Sequence, residues 1–305
     1  MNDKIWDVVI VGGGPAGCSA AIVLARSNRR VIIIDEGHQR NIRSHGMRNY
    51  LTRDGIIPPE YLNHAHKELE GYGIELVNSR VTQAQKLADK GFKLTDKDNN
   101  TYLCRRVLLA TGVSDNVPDI PGFYEGWGTS VFHCPFCDGW ECKDKTIGLY
   151  ANKINGYGMT LLLRQLSCNI ILFTDGAKYL RPKQKVHLES CKIDVVSKKL
   201  ERLVYDDSNH MTHVALQNGE QIPCDVMFVN HGHKVNDELL KQLGCNCTKK
   251  GAALTNRKQQ TSISGVYVAG DASYDMHFVI VAAAEGTKAA VAIHNDLLTT
   301  DNLRF

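Results

Sequence analysis

The sequence lacks long apolar runs: no stretch of its 305 residues approaches the ~20 consecutive apolar residues that a membrane helix needs. Residues 1–6 also lack the apolar core of a signal peptide. An excess of one charge is missing as well, because 36 Lys and Arg stand against 33 Asp and Glu. We therefore expect a cytoplasmic chain that binds neither a membrane nor a nucleic acid.

The chain also lacks the cysteine density of a disulfide scaffold, with 10 cysteines among its 305 residues. That is well below the ~8–10% of a disulfide scaffold. Free thiols in a reducing compartment pack as small apolar side chains. We expect this of Cys18, Cys104, Cys168, Cys191 and Cys224. Repeats and low-complexity tracts are absent, and at about 150 residues per domain the length predicts two domains.

A glycine-rich turn separates two elements near the start of the chain. The apolar run 7–11 predicts a strand, an alanine-rich helical pattern follows the turn, and a second apolar run, 31–34, ends in an acid. This order is typical of a nucleotide-binding βαβ unit, in which the helix N-terminus faces phosphate and the acid binds a ribose. The motif alone does not separate FAD from NAD. The predicted residues are Gly12, Gly14, Pro15, Ala16, Gly17, Asp35 and Glu36.

A single Cys-x-x-Cys pair, Cys134 and Cys137, lies near the middle of the chain. Half of a zinc site and an iron–sulfur ligand set are the alternatives. Both need further well-spaced ligands, for which Cys142 and the segment 231–247 offer only scattered candidates. A redox dithiol needs the pair alone. We predict a redox dithiol and no metal.

These motifs, together with Ala-Thr-Gly at 110–112, Pro-x-x-Pro-Gly at 118–122 and Gly-Asp-Ala at 270–272, resemble those of the low-molecular-weight thioredoxin reductase family over essentially the whole chain. The resemblance implies an α/β fold of two Rossmann-like (βαβ) domains and a homodimer. It implies a discontinuous FAD-binding domain at 1–115 and 246–305. A degenerate NAD(P)-binding-like domain at 116–245 would carry the dithiol.

The resemblance also assigns roles to individual residues. Cys137 would face the flavin, Cys134 would exchange with the external substrate, and Asp138 would move the proton. The cofactor implied is FAD. Its further binding residues would be Asn49, Val81, Ala110, Thr111, Gly112, Gly270, Asp271, Phe278 and Val279.

The second domain departs from the reductase pattern. The turn at 148–156 has no glycine pair at the required spacing, and Tyr150 and Ala151 bring side chains to the place where a pyrophosphate must approach backbone. The segment 173–176 offers an acid in place of the expected arginine cluster. We therefore predict that NADPH binding is lost. The chain then resembles the branch of dithiol oxidases that close disulfides in gliotoxin and holomycin, although Asp138 stands where that branch often has His.

The expected function is an FAD-dependent thiol-disulfide oxidoreductase. Electrons would run from a small dithiol through Cys134 and Cys137 to FAD and then to O2, with hydrogen peroxide as product. The alternatives are a thioredoxin-disulfide reductase driven by NADPH or ferredoxin, with a thioredoxin-like protein as partner, and a non-catalytic flavin sensor. His133 could lower a thiol pKa or be structural, and His231 and His233 could serve a proton relay.

Overall fold

The computed structural model describes residues 5–88, 91–153, 156–273 and 276–303, so Ile154 and Asn155 of the predicted degenerate turn lie outside the described residues. The strands are β1 Ile5–Val11, β2 Val31–Asp35, β3 Glu75–Asn78, β4 Val81–Lys86, β5 Phe92–Asp96, β6 Thr101–Leu109, β7 Val113–Asp115, β8 Val131–Phe132, β9 Ile147–Tyr150, β10 Ile170–Phe173, β11 Asp194–Val196, β12 Leu200–Tyr205, β13 Met211–Leu216, β14 Gln221–Pro223, β15 Val226–Val229, β16 His233–Val235 and β17 Val266–Val268. The helices are α1 Pro15–Arg26, α2 Pro58–Glu70, α3 Pro135–Asp138, α4 Tyr157–Leu163, α5 Pro182–Ser190, α6 Glu238–Gln242 and α7 Val279–Thr300, with a 3-10 turn at Trp140–Cys142.

The chain divides into two compact units. Unit 1 comprises Met1–Ile42, Asn49–Ser114 and Lys234–Phe305, and unit 2 comprises Arg43–Arg48 and Asp115–His233. The segment 234–245 belongs to unit 1. Our prediction had placed it in the second domain, which was expected to end at residue 245. The physical reason is α6, whose Leu239 and Leu240 are buried in the core of unit 1.

Unit 1 is built on a sheet of order β3-β2-β1-β6-β5-β4, with β17 beside β6. The strands β1, β2, β3, β6 and β17 run parallel, whereas β4 and β5 form an antiparallel edge. Val8, Val9 and Ile10 of β1 are fully buried, as expected for a central parallel strand covered on both faces. The alanine-rich helices α1 and α7 contribute to the core on one of these faces.

Unit 2 repeats the architecture on a smaller scale. Its five-stranded sheet has the order β11-β10-β9-β15-β8 and is parallel throughout. A three-stranded antiparallel sheet, β12-β13-β14, completes the unit. The predicted α/β fold with two Rossmann-like sheets is confirmed.

One cysteine prediction is wrong. Cys18, Cys104 and Cys224 are buried, but Cys168 is exposed. Its sulfur lies 3.3 Å from Nη1 of Arg164, because the turn after α4 leaves it at the surface.

Neither a membrane segment nor a metal cluster is found in the described part of the chain. Among those residues, no helix combines the length and the apolar character that crossing a bilayer requires. The same residues contain no group of three or more His, Cys, Asp or Glu side chains arranged to hold a metal ion.

Candidate functional site

The glycine-rich turn between β1 and α1 is constrained by packing at two positions and open at a third. Gly12 has φ +105°, and a Cβ there would lie 2.3 Å from the carbonyl oxygen of Ala110. A Cβ on Gly17 would lie 1.9 Å from the carbonyl oxygen of Gly12. Around Gly14, in contrast, a Cβ would meet nothing within 4 Å. The turn therefore brings β1 and α1 together and leaves open backbone at Gly14.

The N-terminus of α1 has no side-chain cap. Gly14 is the N-cap residue and Pro15 is the first helical residue. The N–H groups of a first helical turn have no partner within the helix, so they offer donors to an anion. Ala16 is buried against Gly270 and Gly286. A Cβ on Gly270 would lie 3.0 Å from the Cβ of Ala16, and a Cβ on Gly286 would lie 2.0 Å from its carbonyl oxygen. This close packing holds α1 beside α7.

The acid at the end of β2 lies against the same turn. The carboxyl of Asp35 is 3.1 Å from the position of a Cβ on Gly13, and it accepts a 2.8 Å hydrogen bond from Nε2 of Gln39. Glu36 is exposed, with an oxygen 3.9 Å from Nε of Arg80. Gln39 belongs to none of the sequence motifs, so sequence reasoning does not find it.

The Ala110-Thr111-Gly112 segment is fixed by a residue far along the chain. Ala110 donates its N–H to the carbonyl of Val11 at 2.8 Å. The hydroxyl of Thr111 donates to the carbonyl of Asn236 at 3.0 Å, and the amide of Asn236 donates back to the carbonyl of Thr111 at 2.8 Å. Gly112 has φ +63°. Sequence spacing gave no signal for Asn236.

The Gly270-Asp271 turn is held by two charged side chains that were also missed. The buried carboxylate of Glu285 accepts the N–H of Gly270 at 2.7 Å and the hydroxyl of Ser273 at 2.8 Å. Asp271 is ion-paired with Nη1 of Arg40 at 2.9 Å. The turn that carries Asp271 is therefore anchored from both α7 and the loop after β2.

The remaining predicted cofactor residues also lie in unit 1. Phe278 is the N-cap residue of α7 and makes no side-chain cap, and Val279 begins this 22-residue helix. Asn49 has φ +62° and donates its N–H to Asp54 at 2.8 Å. Val81 is buried at the start of β4. An open glycine turn, two helix N-termini without side-chain caps and two acids fit a dinucleotide such as FAD.

The dithiol lies in unit 2. Cys134 and Cys137 form a disulfide, with their Cα atoms 5.3 Å apart. Cys134 is the N-cap residue of α3, and the N–H of Cys137 donates to its carbonyl at 3.1 Å. Two large aromatic side chains beside the pair are exposed, Phe136 by 64% and Trp140 by 75%.

Asp138, directly after the pair, has a carboxyl group suited to moving protons at neutral pH. Burial raises its pKa to about 7; the nearby Glu141 raises it as well, whereas Arg48 lowers it. A group with a pKa near the working pH both gives and accepts protons readily.

The histidines near these elements have structural partners. The ring of His133 stacks on Trp127 at 5.8 Å, and its Nδ1 is 4.0 Å from a carboxyl oxygen of Asp115. The ring of His231 lies 6.0 Å from that of Tyr150. Burial, together with nearby Lys153, lowers the pKa of His231. A role for either histidine in proton transfer stays a prediction, as it does for the exposed His233.

The carboxyl end of β9, where a nucleotide would bind in a Rossmann sheet, is filled by side chains. Tyr150 is 2% exposed, and its hydroxyl donates to Asp175 at 3.1 Å. The amide of Asn152 donates to the same hydroxyl at 2.6 Å. Asp175 also accepts the N–H of Leu200 at 2.9 Å and lies 3.5 Å from Nζ of Lys199. A buried polar network therefore lies at the carboxyl end of β9.

A dinucleotide cradle on one α/β unit and a Cys-x-x-Cys disulfide on the other define a flavin-dependent disulfide oxidoreductase. Residues 6–286 match the family described as pyridine nucleotide-disulphide oxidoreductase, and the chain belongs to that family. The match establishes an oxidoreductase enzyme of the thioredoxin reductase-like, FAD-binding type.

Individual relatives agree with this assignment. The chain is 30% identical to thioredoxin reductase sirT of Leptosphaeria maculans, over 98% of this chain and 96% of that protein. The solved structure of HlmI superposes with a TM-score of 0.94 at 33% identity, covering 99% of this chain and 96% of that one. A putative thioredoxin reductase TrxB from Bacillus anthracis gives 0.92 at 29% identity, with 97% and 99% covered. The predicted resemblance to the thioredoxin reductase family is confirmed.

Proposed function

We propose that this enzyme is a dithiol oxidase that does not use NADPH. It would convert a small-molecule dithiol and O2 into the corresponding disulfide and hydrogen peroxide. Two electrons and two protons leave the dithiol, and O2 takes up both pairs.

The observation that carries the proposal is the filled nucleotide position in unit 2. NADPH would have to displace the ring of Tyr150 and break its hydrogen bond to Asp175. The 2′-phosphate of NADPH would then meet the carboxylate of Asp175 where a cluster of basic side chains is expected. Both effects oppose binding, because backbone must contact the pyrophosphate and like charges repel.

The reaction begins at the disulfide. A substrate thiolate attacks the sulfur of Cys134, the Cys134–Cys137 bond breaks, and the sulfur of Cys137 leaves as a thiolate. The second substrate thiol then attacks the mixed disulfide and releases the product, leaving both cysteines reduced. Asp138 accepts and returns the protons of these exchanges. FAD, held in unit 1 at the open backbone of Gly14 and the N-terminus of α7, would supply the two-electron acceptor that reoxidises the cysteine pair and passes the electrons to O2.

Anaerobic stopped-flow measurements test the proposal directly. Dithiothreitol should bleach the flavin absorbance of the purified enzyme, whereas stoichiometric NADPH or NADH should not. In air, one hydrogen peroxide should form for each dithiol oxidised. The matched control is Cys137→Ser, which should keep bound FAD and lose turnover. Rapid bleaching by NADPH would overturn the proposal.

A thioredoxin-disulfide reductase is the second candidate. It is favoured by the names of several relatives and by Asp138, which stands where the gliotoxin-type oxidases often have His. Its partner would be a thioredoxin-like protein, and its electrons would come from NADPH or ferredoxin. Reduction of thioredoxin with NADPH or with reduced ferredoxin, compared in one assay, separates this candidate from the oxidase.

We also propose that the enzyme acts in the cytoplasm as a homodimer. Eight cysteines are free thiols, among them the exposed Cys168, and this fits a reducing compartment. Light scattering after size-exclusion chromatography tests the dimer.

A further inference from the structure

A short segment from the N-terminal part of the chain belongs to unit 2, although its neighbours on both sides belong to unit 1. The segment is Arg43–Arg48. Nη1 of Arg43 donates to the carbonyl of Tyr124 at 3.0 Å, and the guanidinium lies 4.7 Å from the centre of the Tyr124 ring. Met47 is 3% exposed. The segment is therefore anchored in unit 2 at its first residue.

The last residue of the segment reaches the region of the dithiol. Nε of Arg48 lies 2.8 Å from Oε1 of Glu141. Glu141 belongs to the 3-10 turn Trp140–Cys142, which begins three residues after Cys137. The two side chains are only 27% and 40% exposed, so solvent screens their charges incompletely.

Both members of this ion pair act on Asp138, and they act with opposite sign. The negative charge of Glu141 disfavours ionisation of Asp138 and raises its pKa, whereas the positive charge of Arg48 lowers it. Asp138 also interacts with the buried thiol of Cys142, whose own pKa burial raises to about 12. That thiol is neutral at working pH, so Glu141 and Arg48 supply the charges that face Asp138.

We propose that Arg48 and Glu141 are positioning residues of the dithiol site, whose ion pair sets the charge around Asp138 and hence the pH at which the dithiol exchanges. The inference deepens the proposed function, since it rests on the proton role assigned to Asp138. A purely structural ion pair would join the segment to the 3-10 turn without tuning any proton transfer.

Each single variant should shift the pH profile, and the two shifts should be opposite. Arg48→Met leaves Glu141 unpaired and moves the inflection to higher pH. Glu141→Gln removes the negative charge and moves it to lower pH. Because both charges are partly exposed, we expect shifts of about half a pH unit, or roughly threefold in the protonation ratio of Asp138 at fixed pH.

Two measurements on the same proteins provide the readouts. One is the pH dependence of alkylation by iodoacetamide at Cys134, read by peptide mass spectrometry on the holoenzyme reduced anaerobically with a phosphine so that the exposed Cys168 does not contribute. The other is the pH dependence of oxygen consumption with dithiothreitol. Asp138→Asn should remove the inflection. In Arg48→Lys the inflection should lie at the wild-type pH. In the double variant Arg48→Met/Glu141→Gln it should lie close to the wild-type pH. Arg43→Met, which removes a charge from the same segment, should leave it in place.

The outcomes separate this inference from the proposed function. Opposite shifts in alkylation support the inference even if no oxidase turnover is found, in which case the proposed function fails alone. Shifts of the same sign, no shifts, or an inflection that survives Asp138→Asn overturn the inference. If Arg48→Met does not fold, Glu141→Gln and Arg48→Lys still decide the question through the same alkylation profile.

Discussion

Two glycines of the same turn should respond in opposite ways to the smallest possible substitution. Gly14 and Gly17 both belong to the predicted phosphate-binding motif. A Cβ on Gly14 meets nothing within 4 Å, whereas a Cβ on Gly17 lies 1.9 Å from the oxygen of Gly12. Gly14→Ala should therefore affect only a bound cofactor, and Gly17→Ala should affect the fold itself.

The magnitudes follow from these contacts. Real Cβ atoms essentially never come closer than 3.0 Å to another heavy atom, so Gly17→Ala must push α1 away from β1 by more than ~1 Å. Overpacking of a rigid site costs about 1–3 kcal/mol, which for a chain of 305 residues corresponds to a fall in Tm of about 2–5 °C. Gly14 has an extended backbone that alanine adopts freely. The change from Gly to Ala at an N-cap costs at most about 1 kcal/mol.

Differential scanning calorimetry and flavin-fluorescence titration measure the two effects separately. Gly14→Ala should keep the Tm of the apoprotein and bind FAD at least tenfold more weakly, because its methyl group occupies the open backbone that phosphate must approach. Gly17→Ala should lose both Tm and FAD affinity. Wild-type FAD affinity in Gly14→Ala would refute the assignment of this turn to the cofactor. An unchanged Tm in Gly17→Ala would refute the packing argument.

Three further predictions concern polar side chains. Asp138→Asn should become more stable than wild type as the pH rises from about 4 to about 7, by on the order of 2 kcal/mol in unfolding free energy. The reason is that the raised pKa of Asp138 makes its ionisation unfavourable in the folded state. Urea unfolding at several pH values checks this, and turnover should fall in the same variant. Tyr150→Phe should lose about 1–3 kcal/mol of unfolding free energy in urea, because Asp175 loses a buried donor. Glu285→Ala should weaken FAD binding more than Glu285→Gln does in fluorescence titrations, because only the amide keeps an acceptor for the N–H of Gly270.

Local patterns predicted the elements that depend on local sequence. The apolar runs 7–11 and 31–34 lie within β1 and β2. Both are continuous runs whose periodicity and flanking residues define them. Gly12 and Gly17 could be assigned to a tight turn for the same reason, since the strand, turn and helix that they join are adjacent in the chain.

Residues that act across long sequence separations gave no such signal. Asn236 holds Thr111, Arg40 pairs with Asp271, and Arg48 reaches Glu141. Each of these pairs depends on where the fold brings loops together, and no spacing rule encodes that. The prediction that Cys168 is buried is wrong for a related reason. Cysteine is usually buried, but the fold places this one in a surface turn.

The polar network at the carboxyl end of β9 bears on the proposed loss of NADPH binding. Tyr150 and Asp175 satisfy each other's buried polar groups and also bond to Asn152 and to the N–H of Leu200. Removing only one of them leaves an unpaired buried group, which destabilises the fold before any room for a nucleotide is gained. Neither change supplies the missing glycine pair or a base for the 2′-phosphate. Any single substitution in this network should therefore lower stability without conferring reduction by NADPH, and a gain of that reaction requires the loop and the network to change together.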